Sequence, residues 1–310
     1  MRKHHILWAA SAAVALTACS PTSSAAPSTS SAAHFPVTLT GTNEASVTIA
    51  KQPHRIVSLS ATATEMLFAI NAGGQVVAVD DQSNYPANAP KTKLSGFQPS
   101  IEAIASYTPD LVVAVDDASG LVHGLGALNI PVLIETAAKN VDGSYKQIEQ
   151  LGAATGRVAD AAALEKTMRS DLASIVASIP KPAKQLKVYH ELDDTYYSAT
   201  SATFIGQVYA LLGLKNIADG ATASSGDYPQ LSAEYIVSSS PDLIVLADTK
   251  CCHQDLGTVA ARPGWSSIAA VKNRQVINVD DDIASRWGPR VVEFLRALAP
   301  HVKQLEQVAA

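Results

Sequence analysis

The residues with the chemistry of a reactive site are scattered along this 310-residue chain. Ser60, His190 and the many aspartates contain, in principle, a nucleophile, a base and an orienting carboxylate. No pattern assembles them: there is no Gly-x-Ser-x-Gly elbow, no Walker loop and no His-Glu-x-x-His helix. Gly73-Gly74 follows a helix-like stretch and precedes an apolar run, the wrong order for a dinucleotide loop, and reads as a helix C-cap. Cys251, Cys252 and His253 are metal-ligand types, but consecutive side chains rarely converge on one ion, and no second pair stands at zinc spacing. Neighbouring cysteines can instead close a vicinal disulfide or remain surface thiols. The expectation is a chain with no catalytic residue, no metal and no resident cofactor.

The third cysteine lies elsewhere and has a different chemistry. Arg2 and Lys3 precede an apolar stretch from Ile6 to Leu16, the layout of an export signal over residues 1–18, and one too short to span a bilayer. Leu16-Thr17-Ala18-Cys19 resembles the lipobox at which bacterial lipoproteins are diacylated and cleaved. Acyl chains on Cys19 would anchor by methylene burial, ~0.8 kcal/mol per CH₂. Simple secretion, with cleavage after a small residue, would leave Cys19 as an odd thiol. Residues 19–34 are almost wholly Ser, Ala, Thr and Pro, a composition that buries too little apolar surface to order itself, and read as a flexible stalk. Without Arg2 and Lys3 the 23 basic residues fall to 21 against 28 acidic, a formal charge of −7. That mild excess argues against nucleic acid as a partner.

Beyond the stalk, short β-branched runs alternate with helix-length segments, the signature of an α/β protein with parallel sheets. Strands are predicted at Arg55–Ser60, Val76–Asp80, Leu111–Asp116 and Pro131–Glu135, then at Leu186–Leu192, Leu243–Asp248 and Val276–Asp280. Between the two sets, Val158, Ala162, Leu164, Met168, Leu172, Ile175 and Ile179 recur at helical spacing until Pro180 and Pro182. The expected layout is therefore a lobe over 35–156, one long interlobe helix over 157–180, and a second lobe over 181–310.

The lobes repeat each other. Pairing Pro109 with Pro241 sets an offset of 132 residues. Gln98, Ser100, Glu102, Ile104, Ser106, Asp110, Leu111, Val113 and Asp116 then meet Gln230, Ser232, Glu234, Ile236, Ser238, Asp242, Leu243, Val245 and Asp248. Each copy predicts a short helix with a Ser N-cap leading through Pro-Asp into a strand. Two similar Rossmann-like lobes facing each other would leave a ligand cleft between them, at the C-terminal edges of the strands.

Arg55-Ile56-Val57-Ser58-Leu59-Ser60, Thr64-Glu65-Met66-Leu67-Phe68-Ala69, Asn84-Tyr85-Pro86, Ser100-Ile101-Glu102-Ala103-Ile104 and Pro109-Asp110-Leu111-Val112-Val113 follow one another in a telling order. As an ordered set they resemble the helical-backbone (class III) substrate-binding proteins of ABC importers, which serve cobalamin, ferric siderophores and haem. The resemblance runs from Arg55 to Ala299 and is nearest to the cobalamin-binding members. It is carried by Tyr85-Pro86, Phe97-Gln98, Tyr228-Pro229-Gln230-Leu231-Ser232, and Asp282, Arg286 and Pro289-Arg290. Phe97 and Tyr228 depart from the usual tryptophans, and Trp287 is an aromatic those proteins lack.

The resemblance implies a carrier, not an enzyme, that holds a corrinoid through Tyr85, Phe97, Tyr197, Tyr228 and Trp287, with Asp282 and Arg286 at its polar edges. Aromatic faces suit a flat macrocycle, since they add contact area with little rotamer entropy to lose. It further implies that Glu102 and Glu234 dock on arginines of a permease dimer, the carrier being a monomer. A ferric siderophore or haem is the alternative. Haem would ask Tyr85, His123 or His190 for an axial ligand. A catecholate chelate would ask for more cations than Arg286 and Arg290, whereas a neutral hydroxamate would not.

Overall fold

The structure is a computed structural model and describes residues 34–180, 184–221 and 226–309. The signal, Cys19 and the stalk as far as residue 33 lie outside the described residues.

The chain opens with an antiparallel hairpin, β1 (Val37–Thr40) and β2 (Ser46–Ile49), pairing Val37 with Ile49. There follow β3 (Ile56–Leu59), α1 (Ala61–Ala69), β4 (Val76–Val79), α2 (Ile101–Ala105), β5 (Leu111–Ala114), α3 (Leu121–Gly126) and β6 (Val132–Ile134). Two helices come next, α4 (Val141–Thr155) and α5 (Val158–Ala177). The second half contains β7 (Lys187–Glu191), α6 (Phe204–Leu211), β8 (Lys215–Asn216), α7 (Ala233–Ser239), β9 (Leu243–Leu246), α8 (Leu256–Ala261), α9 (Ala269–Lys272), β10 (Val276–Asn278), α10 (Asp281–Ser285) and α11 (Val291–Ala309).

Two four-stranded parallel sheets result, in the orders β4-β3-β5-β6 and β8-β7-β9-β10. The orders are the same, and the 132-residue offset explains why. Asp110, before β5, accepts hydrogen bonds from the backbone N–H of His54 and Arg55 at 2.9 and 2.8 Å, while its own N–H donates to the Arg55 carbonyl. Asp242, before β9, accepts from the Lys187 N–H at 2.9 Å and donates to the Lys187 carbonyl. Each Pro-Asp thus ties the start of one strand to the start of its neighbour. Ser100 and Ser232 cap α2 and α7 by accepting from the N–H three residues on.

The long helix is α5, Val158–Ala177, two residues short of Ile179 at its end. Its buried stripe runs through Ala161, Met168 and Leu172, with Leu164 and Ile175 half-buried; Ala162, expected on that stripe, faces solvent. The stripe turns by one residue because Ala161 meets α4 at Gly152, where an added Cβ would lie 2.5 Å from the Ala161 Cβ. The lobes are joined by more than α5. One buried cluster runs from Ile56, Leu111 and Val113 of the first sheet, through α4, α5, α6 and α11, to Val188, Leu243 and Val245 of the second.

Two local readings are corrected. The αL residue that ends α1 is Asn71 (φ 59°), not a glycine: Ala72 N–H donates to the Leu67 carbonyl and Asn71 N–H to that of Phe68, a Schellman arrangement. Gly73 instead starts a 3₁₀ turn into β4, where a Cβ would strike the Phe68 ring at 2.5 Å. The hairpin β1–β2 went unassigned in the sequence. It rests on α4 and β6, with the Gln150 amide donating to the Thr40 carbonyl and Thr42 N–H to that of Ile134.

Candidate functional site

Six large apolar side chains are exposed among the described residues: Tyr85, Phe97, Leu128, Tyr197, Leu211 and Tyr228. Four of them are the aromatics singled out from the sequence, on loops that follow β4 and β7 or lead into α2 and α7. They stand on strand-end loops of both halves of the chain.

Phe97 owes its exposure to its neighbour. A Cβ on Gly96 would lie 2.7 Å from Asp80 Oδ2 and 2.8 Å from the Leu59 carbonyl, so glycine lets the chain cross the ends of β3 and β4 in contact. Phe97 is thereby lifted out, at 80% exposure. It lines a pocket of about 270 Å³ with Leu59, Ser60, Asp80, Asp116, Arg286 and Trp287. The pocket lies at the C-terminal edge of the first sheet, and Arg286 and Trp287 reach it from the segment after β10. In the second lobe, Ser198 N–H donates to the Pro229 carbonyl and Leu231 N–H to that of Tyr196, pairing Tyr197 with Gln230. This places Tyr197 and Tyr228 on adjoining segments.

Both terminal nitrogens of Arg286 are engaged. It donates to Glu65 Oε1 at 2.8 Å, Asn84 Oδ1 at 2.9 Å, the Gln82 carbonyl at 3.0 Å and Asp282 Oδ1 at 2.7 Å. Arg290 donates to both oxygens of Glu65, at 2.9 and 2.5 Å, and covers the Tyr85 ring at 4.3 Å. Glu65, 2% exposed on α1, therefore carries two guanidinium groups from the other half of the chain. Asp282 also accepts from Asn84 at 2.9 Å and from Lys250 at 2.7 Å. Burial would raise its pKa, but Lys250, Asn84 and Arg286 hold it below the usual carboxylate range. Trp287 Nε1 donates to Gln147 Oε1 at 2.8 Å. Tyr85 borders a separate pocket of about 400 Å³, with Phe68, Pro86 and Arg290.

Glu65, Asn84, Gln147, Lys250 and the central part played by Arg290 went unrecognised in the sequence. Glu65 had a signal: it is the lone charge in the nine-residue run Ala61–Ala69, and a charge among apolar neighbours calls for a buried partner.

The second sheet ends differently. Glu191, fully buried, takes a two-pronged hydrogen bond from Arg262 at 2.7 and 2.6 Å, and Arg262 lies over the Trp265 ring at 4.5 Å. Asp248 is buried against Glu191 with no hydrogen bond of standard geometry; burial and the Glu191 charge push its pKa up to about 7. The sulfurs of Cys251 and Cys252 are joined in the loop that follows.

Ser60 and His190 do not meet as a catalytic pair. Ser60 Oγ caps α1, and His190 is buried in the other sheet against the Tyr209 hydroxyl, its pKa lowered by burial to about 3. His123 is exposed on α3. Glu102 and Glu234 stand exposed at the second position of α2 and α7, and neither makes an ion pair among the described residues.

Two parallel α/β sheets of matching strand order are the frame of a solute-binding protein, and the chain belongs to the periplasmic binding protein family, whose profile matches residues 56–283. It is 33% identical to the uncharacterized ABC transporter substrate-binding lipoprotein YvrC of Bacillus subtilis, over 86% of each chain. It is 32% identical to a cobalamin-binding protein of Halobacterium salinarum, over 86% of this chain and 74% of that one. Among solved structures it resembles a "possible" iron-binding (periplasmic solute-binding) protein from Staphylococcus epidermidis, with TM-score 0.70 and 27% identity over 81% of this chain and 99% of that one.

Proposed function

We propose that this chain is the extracytoplasmic solute-binding lipoprotein of an ABC importer, that it captures cobalamin or a related corrinoid, and that it has no catalytic activity of its own. The observation that carries the ligand choice is the exposure of Phe97, Tyr85, Tyr197 and Tyr228 on strand-end loops of both lobes. Charge supports it. The guanidinium groups of Arg286, Arg290 and Arg262 are already matched by Glu65, Asp282 and Glu191, which leaves little cation for a trianionic chelate and suits a solute of small net charge. The likeness to the Halobacterium salinarum protein agrees.

A ferric siderophore or haem is the second reading, supported by the likeness to the "possible" iron-binding protein of Staphylococcus epidermidis; among siderophores the sparse free cations suit a neutral hydroxamate. Haem would have to draw its axial ligand from Tyr85, since His190 is sealed and His123 lies on an outer helix.

Acyl chains on Cys19 would hold the carrier at the outer face of the cytoplasmic membrane; no described helix is long and apolar enough to cross it. The carrier acts as a monomer, and Glu102 and Glu234, at matching places in the repeat, dock on a twofold permease. Reversing both charges (Glu102→Arg with Glu234→Arg) is expected to abolish uptake while leaving solute affinity unchanged.

Titration with cyanocobalamin, haem and a ferric hydroxamate, followed by protein fluorescence and ligand absorbance, tests the reading. Saturable binding of cyanocobalamin is expected. Binding of the iron compounds alone would overturn the ligand, and chemical turnover would overturn the carrier.

A further inference from the structure

Cys251 and Cys252 stand at a junction that capture alone does not explain. The loop that contains them, between β9 and α8, is fastened to the start of α10 by one carboxylate: Asp281 accepts from the backbone N–H of Thr249 at 3.0 Å, Lys250 at 3.0 Å and Cys251 at 3.3 Å. Cys252 N–H donates to the Asp248 carbonyl at 3.1 Å, and the Gln254 amide to the Cys252 carbonyl at 2.9 Å. Thus fastened, the loop aims Lys250 Nζ at Asp280 and Asp282, at 2.8 and 2.7 Å. Asp282 in turn holds Arg286 and Asn84, the groups that tie the α10–α11 segment to the first lobe. A continuous chain of contacts therefore runs from the two sulfurs to the pocket that contains Arg286, Trp287 and Phe97.

We propose that the Cys251–Cys252 disulfide is a thiol-addressable site that positions Lys250, and through Lys250 and Asp282 the Arg286 contact between the lobes. Cys251 is exposed and Cys252 half-buried, so a small thiol reaches the Cys251 sulfur first. Its thiolate attacks that sulfur, the S–S bond breaks, and Cys252 leaves with the electron pair and takes a proton. A second thiolate attacks the reagent sulfur of the mixed disulfide, releasing Cys251 as a thiol. In sum, one disulfide and two RSH give two cysteine thiols and RSSR. Once the covalent tie between neighbours is gone, the 250–253 turn gains backbone freedom that it lacks in the ring. Lys250 then loses its fixed aim, and the Asp282 to Arg286 contact loosens.

The consequence for affinity rests on the cleft being the capture site, but the test of the coupling does not. Hydrogen–deuterium exchange is measured on the whole chain carrying Cys19→Ser, oxidised and after dithiothreitol. Reduction is expected to raise exchange at 249–254 and also at 282–290 and 82–86. Cys251→Ser with Cys252→Ser should show the raised pattern with or without the reagent. Lys250→Met should show it at 282–290 and 82–86 without reduction, and Lys250→Arg should restore protection. A change confined to 249–254, or a disulfide that dithiothreitol does not open in the folded protein, overturns the proposal. A failed cyanocobalamin titration, by contrast, overturns only the ligand reading. Where cyanocobalamin binds, reduction is expected to weaken it about tenfold, the size of one charge-assisted hydrogen bond; an unchanged affinity would also overturn the proposal.

Discussion

The two lobes are alike at the starts of their strands and unlike at the ends. At the starts, Asp110 and Asp242 make matching ties to Arg55 and Lys187, and α2 and α7 have the same serine caps. At the ends, the position of Leu59 in the first lobe is taken by Glu191 in the second, and the open pocket beside Phe97 by the Glu191–Arg262 pair stacked on Trp265. The frame of a repeat is set by backbone hydrogen bonds that any functional version needs. The strand ends are free to differ, and here one end faces the other half of the chain while the other is closed by its own side chains.

The largest effects should come from breaking the buried ion pairs, one that ties the first half to the second and one within the second. Glu65→Ala leaves Arg290 without its carboxylate and Arg286 with Asp282 alone, and Glu191→Ala leaves Arg262 without its carboxylate, each expected to cost about 3–5 kcal/mol in urea unfolding. The two should separate by place: Glu65→Ala should raise exchange in both halves of the chain, Glu191→Ala only in the second. Equal spread would deny that Glu65 bridges the lobes.

Removing the shared frame should be milder and symmetric. Asp110→Ala leaves two backbone N–H groups without their acceptor, and Asp242→Ala one with the Lys184 ammonium, about 1–3 kcal/mol each by the same measurement. A large inequality would mean that the repeat is one of sequence and not of load.

The pH dependence sharpens the contrast further. Burial without a partner pushes Glu135, at the end of β6, up to about 8. A carboxyl whose pKa rises on folding binds its proton more tightly folded than unfolded, so stability falls as pH climbs from 4.5, its ordinary value, to about 8. Glu135→Gln should therefore melt like the parent near pH 5 and several degrees higher above pH 8. Asp248→Asn should behave likewise, its window closing at about 7.

The parts legible in the sequence were those fixed by local pattern. Seven apolar runs became β3 to β7, β9 and β10, and the helical stripe became α5, because strand and helix periodicities are short-range properties. The hairpin β1–β2 escaped because its four-residue strands are half-exposed and lean on α4 and β6, far along the chain. The site divided in the same way. Phe97 and Trp287 came together in one pocket, while Asp282 and Arg286 proved to be bound to Lys250, Asn84 and Glu65, partners up to 221 residues away that no spacing rule connects.

Capture of the solute by the exposed strand-end aromatics can be tested directly. Phe97→Ala and Tyr228→Ala, one in each lobe, should each weaken cyanocobalamin binding by more than about fivefold, or ~1 kcal/mol, with little change in melting. Leu128→Ala, as exposed as Tyr228 but beyond α3, should bind as the parent does. Three indistinguishable affinities would contradict the assignment of the site.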